Sequence, residues 1–211
     1  MKLYFVRHGE SVANLLWVFS NTGFKHPLTE KGIEQANILA GSLAEVPVKH
    51  IYSSPIMRAM QTAQILSSQL GASMETSEAL REWSVGIYEG TDAAEGWALH
   101  RDVQQDWFVN NRPESKMPNG ESLLDIHARF KPFIDSVVQK HSDTDQTIIL
   151  VAHGGLYLAM LPIILTNIDF NFAQEQGFPH TGYTVAENQA DGLHCLSWCG
   201  KTPESKRGQA S

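Results

Sequence analysis

Two histidines in this sequence occupy the same kind of position. His8 follows the apolar run 3–6 and Arg7, and His153 follows the apolar run 147–152, with a glycine directly after each. A neutral imidazole can act as a nucleophile or move a proton, and a glycine lets the backbone approach a ligand closely. The pattern predicts that both histidines lie at the ends of buried strands and take part in chemistry.

Two arginines accompany these histidines. Arg7 precedes His8, and Arg58 falls in the first turn of the helix predicted after Ser53-Ser54-Pro55. Gly154 belongs to a glycine pair that opens another helix, whose N-terminus favours an anion. Guanidinium groups match phosphoryl oxygens and stabilise charge during transfer. The cluster therefore predicts a phosphoryl site in which one imidazole attacks phosphorus.

The leaving oxygen of such a reaction needs a proton, and Glu82 is the candidate donor. It stands in Leu80-Arg81-Glu82-Trp83, where the indole and a bound dianionic phosphate would both raise the carboxyl pKa. Glu78 and Glu89 are close rivals for the same role.

The elements that must position these residues alternate between strand and helix. That order predicts an α/β fold, a three-layer α/β/α sandwich with a mostly parallel central sheet, an antiparallel edge and ligands at the carboxyl ends of the strands. Strands are predicted at 3–6, 50–53, 147–152, 183–187 and 193–198; helices are predicted after Thr29, from Ser54-Pro55, and from 120 through 140 with a bend at Pro132.

The domain organisation predicted is a single domain over 1–200. Residues 83–118 have a weak helical pattern with three tryptophans and are interpreted as a small helical or loop cap inserted into it. The tail 201–211 has no large apolar residue and is predicted to be disordered. The aromatic residues of the insertion and of the loop 15–26 are candidates for the substrate pocket or for core.

Composition limits the classes of partner. The 211 residues carry a net charge of -7 with a pI of about 5.7, which disfavours nucleic acid and anionic membranes as partners. The longest apolar run, 156–165, is too short to span a bilayer, and the N-terminus does not resemble a signal peptide. We expect a soluble, cytoplasmic protein that acts on a small phosphorylated molecule; a homodimer is left open.

A zinc site is the alternative reading of four residues near the C-terminus: His180, His194, Cys195 and Cys199. Their spacing is irregular, and strand alternation would put His194 and Cys195 on opposite faces. We therefore expect no metal and no cofactor, and the two cysteines imply no disulfide framework.

The motifs together resemble the histidine phosphatase superfamily, with its phosphoglycerate-mutase-like fold. They occur in the family's order and cover roughly residues 3 to 160. The matching segments are Arg7-His8-Gly9-Glu10-Ser11 with Asn14, Pro27 to Gly32, Ser53-Ser54-Pro55 with Arg58 and Thr62-Ala63, Leu80-Arg81-Glu82 with Gly86 and Glu89-Gly90, Pro118 to Ser122, and Val151 to Gly155.

This resemblance implies roles for the residues. His8 would be the nucleophile and Glu82 the acid, while Arg7, Arg58 and His153 would bind the phosphate. Asn14 would assist through its amide, although it could also cap a helix. Thr22, Gly23 and Gly154 are further predicted contacts to the substrate or its phosphate, the first two because Thr22-Gly23-Phe24 echoes a mutase-like segment.

Among the activities of that family, we expect a metal-independent phosphomonoesterase that forms a phosphohistidine. The family's mutases resemble one another in the acid-loop sequence Glu-Arg-His-Tyr-Gly, whereas this chain has Glu82-Trp83-Ser84-Val85-Gly86. The interval from Glu82 to His153 also leaves little material for a tight lid. A phosphoglycerate mutase and a non-catalytic phospho-ligand-binding protein remain the alternatives.

Overall fold

The computed structural model describes residues 1–141 and 145–203. The greater part of the predicted disordered tail, residues 204–211, lies outside the described residues. Among the helices of the described ranges, none combines the length and the apolar character needed to cross a membrane.

A six-stranded sheet forms the centre of the molecule, with strand order β3-β2-β4-β1-β5-β6. The first four strands in that order are parallel, and β5 and β6 are antiparallel to their neighbours. The mostly parallel sheet with an antiparallel edge is therefore confirmed. The strands are β1 (Lys2–Arg7), β2 (Val48–Ser53), β3 (Ser73–Thr76), β4 (Thr147–Ala152), β5 (Tyr183–Gln189) and β6 (Gly192–Trp198).

Helices cover both faces of this sheet. They are α1 (Val12–Leu16), α2 (Glu30–Ser42), α3 (Met57–Leu70), α4 (Ala94–Phe108), α5 (Leu123–His141), α6 (Gly154–Ile164) and α7 (Phe170–Gln176). Alternate residues of each central strand enter different cores. Phe5 and Leu150 pack with α5 and α6, whereas Val6 and Val151 pack with α2 and α3. Two apolar cores, one on each side, make the three-layer sandwich.

Local sequence signals explain where α2 begins. The Thr29 side chain accepts a hydrogen bond from the Gly32 N–H at 3.0 Å, as expected of an N-cap. The helical spacing of Ile33, Ala36, Ala40 and Leu43 predicts one apolar face; the last three are buried, whereas Ile33 is 42% exposed.

The start predicted for α3 is wrong by two residues. The helix begins at Met57, not at Ser54-Pro55, and Arg58 still falls in its first turn. The Ser54 hydroxyl accepts from the Ile56 N–H at 3.3 Å and also contacts His153, which holds the chain extended before the helix.

Helices α1 and α7 and strand β3 have no counterpart among the elements predicted from the sequence. Helix α1 lies inside the stretch 10–27, which the sequence predicts to be a loop, and the 15-residue helix α4 fills much of the interval predicted to be a helical or loop cap. Strand β3 at the sheet edge is short and polar, so it lacks the apolar run that marks the other parallel strands.

Candidate active site

The carboxyl ends of three parallel strands meet at one edge of the sheet. Arg7 at the end of β1 lies beside Ala152 of β4, and Ser53 of β2 lies beside Val151. The residues that follow these strands are His8, His153 and Ser54. The fold therefore brings together the histidines that the sequence separates by 145 positions.

Arg58 joins these strand ends from helix α3. Its Nε–H donates to Nε2 of His8 at 2.9 Å, and one terminal nitrogen donates to Nδ1 of His153 at 3.2 Å. The other terminal nitrogen donates to the Ser20 carbonyl oxygen at 2.5 Å. One buried guanidinium thus links both histidines to the loop after α1.

These contacts define the tautomer of His8. Its Nδ1 lies 2.7 Å from the Gly9 carbonyl oxygen, which can only accept, so Nδ1 carries the proton. Its Nε2 receives the Arg58 N–H and is therefore unprotonated. Burial, and then the charges of Arg58 and its neighbours, hold the imidazole pKa well below its usual value. His8 is a neutral imidazole with its lone pair on Nε2.

His153 is also neutral but has the opposite tautomer. Its Nδ1 accepts from Arg58, so its Nε2–H donates to the Ser54 hydroxyl at 2.8 Å. Burial and the Arg58 charge lower the imidazole pKa well below its ordinary range. His153 is therefore uncharged at neutral pH, and the positive charge of the cluster comes from the guanidinium groups.

Arg7 supplies the second guanidinium. It donates to the Phe178 carbonyl oxygen at 2.5 Å and to Nε2 of His180 at 3.0 Å. Its Nε is buried and has no hydrogen-bond partner within the described ranges. The side chain packs on Gly154, where a Cβ atom would come within 3.1 Å of it. A larger residue at position 154 would therefore push against the Arg7 side chain in its present position.

Glu82 is buried beside these cations. Burial, the largest cause, raises its carboxyl pKa, although two backbone N–H groups and both guanidiniums favour the ionised form. Those donors are Trp83 N–H at 3.1 Å and Gly155 N–H at 3.0 Å. A Cβ at Gly155 would lie 2.9 Å from the carboxylate oxygens. The anionic group at the N-terminus of α6 is thus the Glu82 carboxylate. A raised carboxyl pKa is what a proton donor requires.

A pocket of about 190 Å³ lies over this cluster. Four of the five predicted catalytic side chains line it: Arg7, His8, Arg58 and Glu82. His153 does not line the pocket and lies behind Arg58 and His8, bonded to the first and with its ring centroid 5.1 Å from that of the second. A second pocket of about 350 Å³ shares Arg7, Asn14 and Trp97 with the first and adds Trp17 and His180. Together they form an inner polar chamber and an outer chamber.

The predicted substrate contacts separate into two groups. Asn14 and Gly154 line the inner chamber. The Asn14 Oδ1 accepts from the Ser11 N–H at 3.0 Å, so its amide caps α1 and leaves the NH₂ group for a ligand. Thr22 and Gly23 lie outside both chambers, because Thr22 is bonded to Glu89 and Gly23 is in open space.

Hydrogen bonds tie the loop before Thr22 to the segment after Glu82. Phe19 N–H donates to Thr91 O at 2.9 Å, and Gly90 N–H donates to Phe19 O at 2.8 Å. The Asn21 N–H donates to the Glu89 carboxylate at 3.0 Å. These bonds fix the Ser20 carbonyl that holds Arg58. Glu89, a rival to Glu82 as the acid, therefore has a positioning contact and does not line either chamber.

Sequence reasoning missed three side chains of the site. Ser54 belongs to the Ser53-Ser54-Pro55 motif but is predicted only to begin a helix, His180 is a candidate only for the zinc alternative, and His100 is not among the candidate residues. The spacing of Trp97 and His100, three residues apart on α4, is a signal that could have placed both on one helix face. No comparable signal marks His180, which reaches Arg7 from a turn.

The arrangement is suited to a phosphoryl group. Two guanidiniums can bind its oxygens, the Nε2 lone pair of His8 can attack phosphorus, and Glu82 can supply a proton. Within residues 1–141 and 145–203, no group of three or more His, Cys, Asp or Glu side chains is arranged to hold a metal ion.

Relatives with curated names support this chemistry. The chain is 35% identical over 167 residues to "Putative phosphoserine phosphatase 2" of Hydrogenobacter thermophilus, covering 79% of each sequence. It is 30% identical over 171 residues to "Probable phosphoglycerate mutase GpmB" of Yersinia pestis, covering 78% of this chain and 75% of the relative.

Solved structures agree with the fold. A mycobacterial glucosyl-3-phosphoglycerate phosphatase, solved with VO3, superposes with a TM-score of 0.80 at 25% identity, over 93% of this chain and 98% of that one. A phosphoglycerate mutase from Bacillus anthracis has the same fold, with a TM-score of 0.79 at 21% identity over 94% and 92% of the two chains. The model of the histidine phosphatase superfamily (branch 1) matches residues 3–200, and the chain belongs to that family.

Proposed function

We propose that the protein is a metal-independent phosphomonoesterase that forms a phosphohistidine on Nε2 of His8 and acts in the cytoplasm on a small phosphorylated metabolite. The observation that carries the proposal is the tautomer of His8. Its Nδ1–H is held by the Gly9 carbonyl, so the lone pair lies on Nε2, next to Arg58 and at the floor of the inner chamber.

The reaction proceeds in two displacements. The His8 Nε2 lone pair forms a bond to phosphorus while the bond from phosphorus to the ester oxygen breaks, and protonated Glu82 gives that oxygen its proton. Arg7 and Arg58 stabilise the charge on the phosphoryl oxygens. Water then attacks phosphorus and gives a proton to Glu82, and the bond to Nε2 breaks to release inorganic phosphate.

A mutase is the second candidate, since one relative carries that name. The residues after the acid argue against it. Trp83 is buried, and the Ser84 N–H is bonded to the Glu121 carboxylate at 2.8 Å. No basic or phenolic side chain from 83–86 therefore faces the inner chamber to hold a substrate's second hydroxyl or carboxylate.

Rapid quench with ³²P-labelled 4-nitrophenyl phosphate tests the covalent step. We expect an acid-labile, base-stable phosphoenzyme that is absent in His8→Ala, together with a loss of activity of at least about 10⁴-fold. His194→Ala, at a partly buried position on β6 outside both chambers, is the matched control. An acid-stable phosphoester, or retained activity in His8→Ala, would overturn the proposal.

A second experiment separates phosphatase from mutase. The protein is incubated with 3-phosphoglycerate and 2,3-bisphosphoglycerate while 2-phosphoglycerate and free phosphate are both followed. Isomerisation much faster than phosphate release would identify a mutase. Phosphate release without isomerisation, from these or other monoesters, supports the phosphatase.

A further inference from the structure

The wall of the two chambers away from the arginines is aromatic. Phe19 and Trp97 are stacked with ring centroids 3.9 Å apart and an interplanar angle of 24°. Trp17 meets the edge of Trp97 at 6.3 Å, and the Trp97 indole N–H donates to the Trp17 carbonyl at 3.0 Å. Phe19 lines the inner chamber, Trp17 the outer chamber and Trp97 both.

His100 continues this wall without adding charge. Its ring is stacked on Trp83 at 4.3 Å with an interplanar angle of 22°. Burial, and then the charge of Arg101, lowers its pKa to about 4, so the ring is neutral at pH 7. Phe19, Trp97 and His100 thus line the inner chamber with flat, uncharged rings.

No third cation completes the lining. Among the described residues that line the two chambers, Arg7 and Arg58 are the only arginines, and none is a lysine. Two other cations lie outside the lining of both chambers: Lys31, which pairs with Glu10 at 2.9 Å, and Arg101, whose charge lowers the pKa of His100. Because both arginines bind the phosphate, a carboxylate elsewhere on the substrate would lose water here without gaining a further cation, which is unfavourable.

The end of α1, next to the outer chamber, also exposes apolar side chains. Trp17, which lines that chamber, is 72% exposed, and the two residues before it, Leu15 and Leu16, are also exposed. Apolar surface is therefore present in the chain directly beside the aromatic wall.

We propose that the preferred substrate is the phosphate monoester of an uncharged, apolar alcohol, whose organic group packs against Phe19 and Trp97 and extends past Trp17. This proposal rests on the proposed function, since it names the leaving group of the same reaction. It differs from the compounds in the relatives' names, phosphoserine and phosphoglycerate, each of which carries a carboxylate.

A matched pair of substrates tests the proposal: benzyl phosphate and 4-carboxybenzyl phosphate, which differ by one carboxylate far from the ester oxygen. We expect kcat/KM to be at least about 10-fold higher for benzyl phosphate, within the range that apolar pockets achieve. Equal values, or a preference for the carboxylated compound, would overturn the proposal.

Variants of the wall make the test specific. Trp97→Ala should lower kcat/KM for benzyl phosphate by about 10-fold while the inhibition constant for inorganic phosphate changes less than about 2-fold. Ile38→Ala, at an exposed apolar position on α2, is the control and should change neither. A proportional change in both quantities for Trp97→Ala would mean that the ring only supports the fold.

Trp17→Arg serves if Trp97→Ala does not fold, because Trp17 is exposed. A guanidinium at this position would supply the missing cation, so the preference for benzyl over 4-carboxybenzyl phosphate should fall by about 2- to 5-fold. An unchanged preference would contradict the placement of the organic group beside Trp17.

Binding of the two corresponding phosphonates, which cannot be hydrolysed, separates this proposal from the proposed function. Tighter binding of benzylphosphonate than of 4-carboxybenzylphosphonate, measured by tryptophan fluorescence titration, would support an apolar site for the organic group even if no ester were cleaved. If the two phosphonates bind equally and phosphate is still released from ester substrates, the proposed substrate class is refuted while the proposed function stands.

Discussion

The phosphate cluster and the aromatic wall face each other across one chamber, but they are built in different ways. Arg58, His8 and His153 are at most 5% exposed, and each is bonded to another member of the cluster. The wall comes from α4 and the loop after α1, and Trp17 in it is 72% exposed. The cluster is held by strand ends and the first turn of α3, and the wall by helix α4 and the loop after α1.

The difference separates two tasks. A preorganised cluster stabilises the transferring phosphoryl group, which is common to every substrate. The wall contacts the organic group, which differs from one substrate to another. Changes in the cluster should therefore lower the rate for all substrates or for those with poor leaving groups, whereas changes in the wall should alter the choice between substrates.

Among the variants that test this division between cluster and wall, Glu82→Gln is expected to lower activity most. The variant cannot protonate the leaving oxygen, so hydrolysis of benzyl phosphate should fall by about 10²–10⁴-fold. Hydrolysis of 4-nitrophenyl phosphate should fall far less, because its leaving group is a weak base. Equal losses on both substrates would assign Glu82 a binding role only.

The pH dependence gives a second view of Glu82. Its raised pKa keeps the acid form present at higher pH than for an exposed glutamate. Activity on benzyl phosphate should decline as pH rises through that pKa, and Glu82→Gln should remove this decline. A decline that persists in the variant would belong to another group.

Arg58→Lys should have the next largest effect. Lysine keeps the charge but cannot bond to His8, His153 and the Ser20 carbonyl at once. We expect kcat to fall by about 10²–10³-fold on benzyl phosphate and on 4-nitrophenyl phosphate alike. Arg101→Lys, outside the chambers, should stay near wild type. A loss confined to one of the two substrates would contradict the division between cluster and wall.

Ser54→Ala should have a smaller effect of the same kind. It removes the acceptor of the His153 Nε2–H and so loosens the partner that orients Arg58. The loss of one hydrogen bond corresponds to about 1 kcal/mol, or roughly 2- to 10-fold in kcat, with KM little changed. Rescue by Ser54→Thr would support positioning through the hydroxyl. Failure of rescue in a folded variant would count against it.

Removal of divalent metal ions should leave the activity unchanged. The guanidiniums of Arg7 and Arg58 provide the positive charge that magnesium provides in other phosphoryl-transfer sites. Activity on 4-nitrophenyl phosphate should be the same before and after dialysis against EDTA. Activity lost to EDTA and restored by magnesium would show that the cluster is incomplete without a metal.

The cluster could be predicted from the sequence because its signals are local. Each of His8 and His153 follows an apolar strand and precedes a glycine, and parallel strands bring such ends together. The position of His153 behind Arg58, and its neutral state, could not be predicted. Both depend on the Ser54 hydroxyl and on burial, which only the packed fold determines.

The wall could not be predicted to the same extent. Helix α4 begins without a side-chain cap at Ala93, so its start lacks a local signal. Thr22 and Gly23 were placed in the site by resemblance, but Glu89 draws Thr22 away from the chambers. Contacts between distant segments decide these positions, and no short-range pattern encodes them.

The bonds between the loop around Phe19 and the segment 89–91 have a consequence for engineering. Each segment supplies backbone donors and acceptors to the other, and one of them also presents the Ser20 carbonyl to Arg58. If the loop around Phe19 alone were replaced by that of a homologue, it would lack its hydrogen-bond partners in 89–91. The Ser20 carbonyl would then shift and disturb the Arg58 guanidinium. Specificity in this scaffold should therefore be exchanged as a pair of segments, 18–22 with 83–91, transplanted together.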